Sequence, residues 1–316
     1  MMSSFLRKRR RLGVSLLGEF SLGVNEVQDW ILPYPKILLA LGGIGREVNA
    51  AMIAFHLAME TGGEVVGFHV QESNAVKAEA KHFFGDIINI ASKFQVNFRI
   101  KSRISRGRVA HEIVKELKNG KYDVCICTAR MKFLSKFFGS VTREIVRSAP
   151  CRVILVYNPD EYTVLPRKLS TIIIPQESEY LDRIALETIS TIASSWVARN
   201  AKIIFVHVTE IPSTVPIDAS IESPEIREEE FEFLREAGKQ IISTGVNIIP
   251  KVVVSRDRAG GIGSFARNVN AELIVMGAER KHYAPRFLYK IFKGTHARFV
   301  ESLADRLCCP AVFVFP

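Results

Sequence analysis

No apolar run in this chain of 316 residues approaches the length of a membrane helix. The longest, such as Ile37 to Leu41 and Ile172 to Pro175, are of strand length, against the roughly 20 residues that a bilayer-spanning helix requires. The N-terminal region, with Arg7 to Arg11 ahead of Leu12, lacks the apolar stretch and small-residue cleavage site of a secretory leader, which predicts a cytoplasmic protein. Cysteine is scarce, with five residues, no C-x-x-C pair and no histidine at ligand spacing, so a zinc site is not expected. Cys125 and Cys127 alternate within an apolar run, Cys151 opens another, and Cys308 and Cys309 precede the last, the placement of reduced core thiols. No Ser/His/Asp arrangement sits in a catalytic context: His111 falls on an amphipathic helix, and His69 and His207 fall in strands. A non-enzymatic protein is expected.

What the chain has in excess is positive charge, a formal +10, which favours an anionic partner such as nucleotide phosphate, nucleic acid or an anionic membrane surface. A solvated basic surface satisfies the same number. At 47% hydrophobic and 24% charged, the composition is globular, and the length leaves room for two domains, each with its own core.

The chain also repeats itself. Tyr122-Asp-Val-Cys-Ile-Cys-Thr-Ala-Arg130 is answered by Ala271-Glu-Leu-Ile-Val-Met-Gly-Ala-Glu279. Each is followed by a small-residue pair, Gly139-Ser140 or Gly294-Thr295, then a helical stretch, then a final apolar run at 153–157 or 311–315. A repeat of this size is a duplicated domain and not a solenoid unit.

Strand and helix signals alternate from Lys36. The first repeat reads as strands 36–41, 64–70, 97–104, 123–128 and 152–157, with helices 46–61, 74–94, 107–119 and 140–149 between them. The second reads as strands 171–176, 202–208, 247–255, 273–277 and 311–315, with helices 180–198, 224–243, 260–270 and 295–307. This order predicts two tandem α/β domains, each a doubly wound, five-stranded, Rossmann-like parallel sheet. The expected boundaries are a basic N-terminal extension at 1–34 with amphipathic helix character, domains at 35–158 and 169–316, and a proline-bounded linker at 159–168. The acidic stretch Glu225 to Glu232 reads as a solvated helix face near a helix N-terminus.

In open parallel sheets the ligand cleft lies beyond the carboxyl ends of the strands. Those ends are Leu41-Gly42, Val70, Thr128 to Arg130 and Gly139-Ser140 in the first repeat, and Gln176-Glu177, Val208, Gly277 to Arg280 and Gly294-Thr295 in the second. This set resembles the universal stress protein family, in strand order, in the His69-Val70 and His207-Val208 endings of the second strands, and in Leu273-Ile-Val-Met-Gly277. The resemblance covers both repeats, from Lys36 to Pro316.

The resemblance implies that ATP or another adenine nucleotide, with Mg2+ on its phosphates, is the ligand, and that regulation rather than turnover is the output, weak ATP hydrolysis remaining open. Nucleotide-binding members carry an aspartate at the end of the first strand, then G-x-x-G, nine residues, and G-S/T. Here the first repeat has Gly42, Thr128 and Met131 at the aspartate and glycine positions, and only 132–138 before Gly139-Ser140. The second has Glu177, Gly277 and Arg280, with 281–293 before Gly294-Thr295. Met131 and Arg280 stand where a phosphate loop needs close backbone approach, so the second repeat is the better candidate. By resemblance, adenine and ribose would lie near Glu177 and Val208, and phosphates near Gly277, Arg280, Gly294 and Thr295. Val70, Thr128, Gly139 and Ser140 are the corresponding positions of the first repeat. Gly followed by Ser or Thr before a helix serves equally as a plain N-cap.

The segments at 130–138 and 280–293 interleave basic and aromatic residues, which can bind single strands, though the same spacing suits burial of one helix face, and nucleic acid is not the favoured partner. Family dimers imply that the two repeats form an internal pseudo-dimer or a homo-oligomer, with the last strand pairing across the interface. The alternative function is a nucleotide-independent module that pairs with a protein or membrane-transport partner, the basic N-terminus being drawn to an anionic membrane surface.

Overall fold

The computed structural model describes residues 34–42, 47–71, 77–105, 107–129, 139–160, 163–176, 179–214, 247–280 and 295–316. The expected helix near the N-terminus, the acidic helix at 224–243, the basic and aromatic segments at 130–138 and 281–293, and the candidate site residues Glu177 and Gly294 lie outside them.

The first repeat supplies β1 (Lys36–Leu41), α1 (Val48–Thr61), β2 (Glu64–Gln71), α2 (Lys77–Phe94), β3 (Asn97–Ile104), α3 (Val109–Gly120), β4 (Val124–Ala129), α4 (Ser140–Ser148) and β5 (Arg152–Tyr157). The second supplies β6 (Leu169–Pro175), α5 (Glu179–Trp196), β7 (Val197–Glu210), β8 (Asn247–Ser255), α6 (Arg258–Asn268), β9 (Leu273–Gly277), α7 (Thr295–Ala304) and β10 (Ala311–Phe315). The sequence explains these elements locally. The inner strands β1, β4, β5, β9 and β10 are almost unbroken apolar runs, as strands buried on both faces must be. Strand β3, whose Arg99, Lys101 and Arg103 alternate with apolar residues, is instead a charged edge. Helix α1 stops at Gly62, which takes a left-handed φ of 64° that side-chain-bearing residues adopt only at a cost.

All ten strands form one sheet in the order β3-β2-β1-β4-β5-β10-β9-β6-β7-β8. Each half has the doubly wound order expected of it, and every neighbouring pair is parallel except one. The exception is the join, where β5 and β10 run antiparallel from Ala311 opposite Tyr157 to Phe315 opposite Val153. The last strand thus closes the internal pseudo-dimer, as its apolar sequence led one to expect.

The apolar core divides by face of the sheet and not by repeat. One cluster gathers Leu39, Phe55 and Ile126 with Ile174, Trp196 and Phe205; the other gathers Phe68, Cys125 and Ile145 with Ile274, Leu303 and Phe313. Helices α1 and α5, from different repeats, meet on the first face. There His56 stacks on Trp196 at 4.3 Å between ring centroids, and its Nδ1 lies 3.0 Å from the Ser195 hydroxyl. On the other face Arg143 of α4 donates to Glu301 of α7 at 3.2 Å.

The connection between the repeats is held as well. The Asn49 amide donates to Asn158 Oδ1 and to the Thr163 carbonyl, both at 2.8 Å, while its oxygen accepts from the Leu165 N–H at 2.8 Å. Leu165 is buried. The buried Trp196 donates its indole N–H to the Pro166 carbonyl at 2.8 Å. This anchors the end of α5, and the chain passes straight into β7 at Val197, whereas the periodicity extends the helix to 198 and starts the strand only at 202. At the other boundary Tyr34 packs into the core, its hydroxyl accepting from Arg152 at 2.8 Å.

Candidate functional site

Each half of the sheet has a switch point where strand order reverses, between β1 and β4 in the first repeat and between β6 and β9 in the second. The ladders there are short. Strands β1 and β4 pair only from Ile37–Val124 to Leu39–Ile126, and β6 and β9 only at Ile172–Leu273 and Ile173–Ile274. Beyond those rungs the strands part, while their outer neighbours stay paired: β6 with β7 through Pro175–Val206, β9 with β10 through Gly277–Val314. Because the halves are joined antiparallel, the two clefts open at opposite edges of the sheet.

The first cleft is closed from within. Gly42, at the position that carries the family aspartate, donates its N–H to Glu47 Oε1 at 3.0 Å. Glu47 is 3% exposed and immediately precedes α1, where the free N–H groups and helix dipole stabilise a carboxylate. The first repeat therefore places its own anion beside its own switch point. Leu41 and Val70 are buried among apolar neighbours, and buried His69 holds its Nδ1 3.0 Å from the Leu41 carbonyl. Thr128 ends this cleft on β4, with its hydroxyl oxygen buried and unpartnered. Gly139 is the N-cap of α4 and makes no side-chain cap, and Ser140 is exposed in the first turn.

The second cleft has no such carboxylate among the described residues. Its switch point is flanked by Gln176 after β6 and Gly277 at the end of β9, with Val208 buried on β7 alongside. Gln176 uses its backbone N–H on the Val206 carbonyl at 2.9 Å. Its side chain is only 3% exposed, yet neither Oε1 nor Nε2 has a hydrogen-bond partner. Burying an unpaired polar atom costs about 1–3 kcal/mol, so two such atoms demand a reason. Thr295 opens helix α7.

Arg280 lies elsewhere than the phosphate role implied by resemblance. Its guanidinium crosses the join, donating to the Ala149 carbonyl at 2.6 Å and also to the Cys151 carbonyl. It thereby caps the C-terminus of α4, whose last carbonyls are orphaned and electronegative. Strand geometry explains this reach, since antiparallel pairing sets the C-terminal end of β10 beside the N-terminal end of β5.

Glu47 and Gln176 were not singled out as site residues in the sequence. Gln176 could have been, as a polar residue at the end of an apolar strand whose counterpart in the other repeat is Leu41. Glu47 could not, because only folding brings it back five residues to Gly42. The thiols are chemically quiet: burial pushes Cys151 up to about 11 and Cys309 up to about 12. Among the described residues no cluster of three or more His, Cys, Asp or Glu side chains could hold a metal ion, and no helix is long and apolar enough to cross a membrane.

The model of the universal stress protein family matches the chain twice, over residues 33–157 and 175–300. This chain belongs to the universal stress protein family. Its two matches bracket the two halves of the sheet, so it is a tandem member. Among solved structures, it is similar to a universal stress protein from Archaeoglobus fulgidus at 14% identity and a TM-score of 0.59, covering 88% of this chain and 95% of that one. A universal stress protein structure from Pseudomonas aeruginosa gives 14% identity and 0.55, covering 90% and 94%. The cytoplasmic domain of a prokaryotic cation chloride cotransporter gives 12% identity and 0.50, covering 89% and 95%. At these identities the likeness is one of fold. Among curated proteins, none matches the sequence.

Proposed function

We propose that this tandem universal stress protein is a regulatory protein that binds an adenine nucleotide in its second repeat, without efficient turnover, while its first repeat serves pairing and structure. The observation that carries this reading is the contrast at the two switch points. The second parts between Gln176 and Gly277 and keeps the family's first glycine, whereas the first holds Leu41, Thr128 and the Glu47 carboxylate. In this reading adenine and ribose lie by Glu177 and Val208, and the phosphates by Gly277, Gly294 and the N-terminus of α7 at Thr295, where free N–H groups favour an anion. Magnesium is carried on the phosphates. Arg280, engaged with Ala149 and Cys151, contributes its charge from across the join rather than as a direct ligand.

The reading is tested by isothermal titration of the full chain with ATP, ADP and AMP in the presence of magnesium, after mass spectrometry of any ligand released on denaturation. Saturable binding near one site per chain supports it. No binding and no co-purified ligand would overturn it. A second reading is an interaction module for a transport system, and its support is the fold shared over almost the whole chain with a cotransporter cytoplasmic domain. The net charge of +10 extends that reading to anionic membranes. Vesicles containing phosphatidylserine that fail to bind the full chain would remove the membrane part.

A further inference from the structure

We propose that Gln176 is the base-reading residue of the second repeat, its side-chain amide bridging the edge of an adenine ring. This rests on the nucleotide reading above and deepens it. Three observations converge on the residue. It flanks the switch point, one position past the end of β6 and facing the gap that opens where the β6–β9 ladder stops at Ile173–Ile274. Across that gap stands Gly277, which has no side chain to fill the space or to satisfy the amide. And the amide is buried with both of its polar atoms unpartnered while its backbone N–H is already satisfied by Val206.

The fold itself has no need of an amide here. The same position in the first repeat is Leu41, 4% exposed and packed in the apolar core. By strand alternation Gln176 shares a face with Ile172 and Ile174, so its side chain extends an apolar surface at the lip of the cleft. An uncompensated buried amide at a site that accepts leucine is explained by a ligand that completes it.

The chemistry of the missing partner follows from the amide. It offers an acceptor and a donor side by side, and both are unsatisfied. A phosphate would engage the donor and leave Oε1 stranded; a cation would do the reverse. An adenine edge, with its 6-amino donor next to a ring-nitrogen acceptor, satisfies both at once. Gln176 thus selects the base while the helix start at Thr295 addresses the phosphates.

The full chain and its Gln176→Leu variant are titrated with ATP, with purine riboside triphosphate, which lacks the 6-amino group, with GTP and with inorganic tripolyphosphate. The wild type is expected to prefer ATP over the purine riboside analogue by about tenfold, and Gln176→Leu to lose that preference while tripolyphosphate binding is unchanged. The apo variant is expected to melt at or above the wild-type temperature, because it takes the residue of the first repeat; Gln176→Met provides a second apolar variant should leucine fail to fold. Equal ATP affinity in wild type and variant would overturn the proposal, with the amide then satisfied by trapped water, and leave the nucleotide reading intact. A preference for GTP would overturn the adenine assignment. Absence of any nucleotide binding to the wild type would overturn the nucleotide reading and this inference together.

Discussion

The two switch points are built on the same strand order yet handle polar groups in opposite ways. In the first repeat a carboxylate is brought in and bound: Glu47 accepts from the Gly42 N–H beside the helix it precedes. In the second an amide is brought in and left without a partner. Duplication gave both halves one architecture, and divergence made one cleft self-sufficient and the other dependent on something from outside. A cleft that supplies its own anion repels a phosphate; a cleft with unspent hydrogen-bonding capacity attracts a ligand.

That contrast can be broken most directly at the paired glycines before the last helices. Gly294→Asp places a carboxylate among the proposed phosphate contacts and is expected to weaken ATP binding by about a hundredfold, or roughly 2.7 kcal/mol. Gly139→Asp, at the equivalent place in the first repeat, is expected to leave it unchanged. Titration of both variants decides the matter, and comparable losses would abolish the distinction between the repeats.

A smaller effect probes whether the halves, different as their clefts are, stand or fall together. His56 of α1 is stacked on Trp196 of α5, and burial, with a lesser contribution from the Lys168 charge, holds its imidazole down at about 3. Its folded value is below its unfolded one, so the unfolded chain binds the extra proton between about pH 6.5 and 3, and stability falls as pH falls through that window. From pH 7 to pH 5 the loss is expected to be about 2 kcal/mol in urea unfolding, in a single transition for both repeats. His56→Phe should flatten this part of the dependence while keeping the stack. Two separate transitions would show that the shared core does not couple the halves.

The smallest change sharpens the comparison from the other side. Glu47→Gln removes the charge but keeps an acceptor for Gly42, and is expected to cost about 1 kcal/mol by urea unfolding, from a weaker hydrogen bond and a lost helix-dipole interaction. Nucleotide affinity of the second repeat should not move. A second nucleotide site appearing in this variant would identify the carboxylate as the group that keeps the first cleft empty.

The architecture was legible because it is written in periodicity. Unbroken apolar runs such as Ile37 to Leu41 and Val153 to Tyr157 mark strands buried on two faces, and the duplicated order of elements implies the order within each half-sheet. The join was legible too, from the apolar Ala311 to Phe315. Helix ends were less so: α5 stops at Trp196 because of a tertiary hydrogen bond to Pro166, which no local pattern encodes. At the clefts the resemblance pointed to the right strand ends, but the residues that set the two repeats apart depend on three-dimensional pairing. Arg280 read as a phosphate contact and proved to be a bridge to Ala149 and Cys151, since the antiparallel join that brings those carbonyls near cannot be read from spacing.

The clasp of Asn49 on Asn158, Thr163 and Leu165 bears on how the molecule assembles. Two half-sheets joined by a slack tether could trade partners between chains, β5 of one molecule taking β10 of another, and concentration would then decide between monomer and swapped dimer. With the tether fastened to α1, each β5 has its own β10 at a high effective concentration. Intramolecular closure should therefore persist at any cellular abundance of the protein.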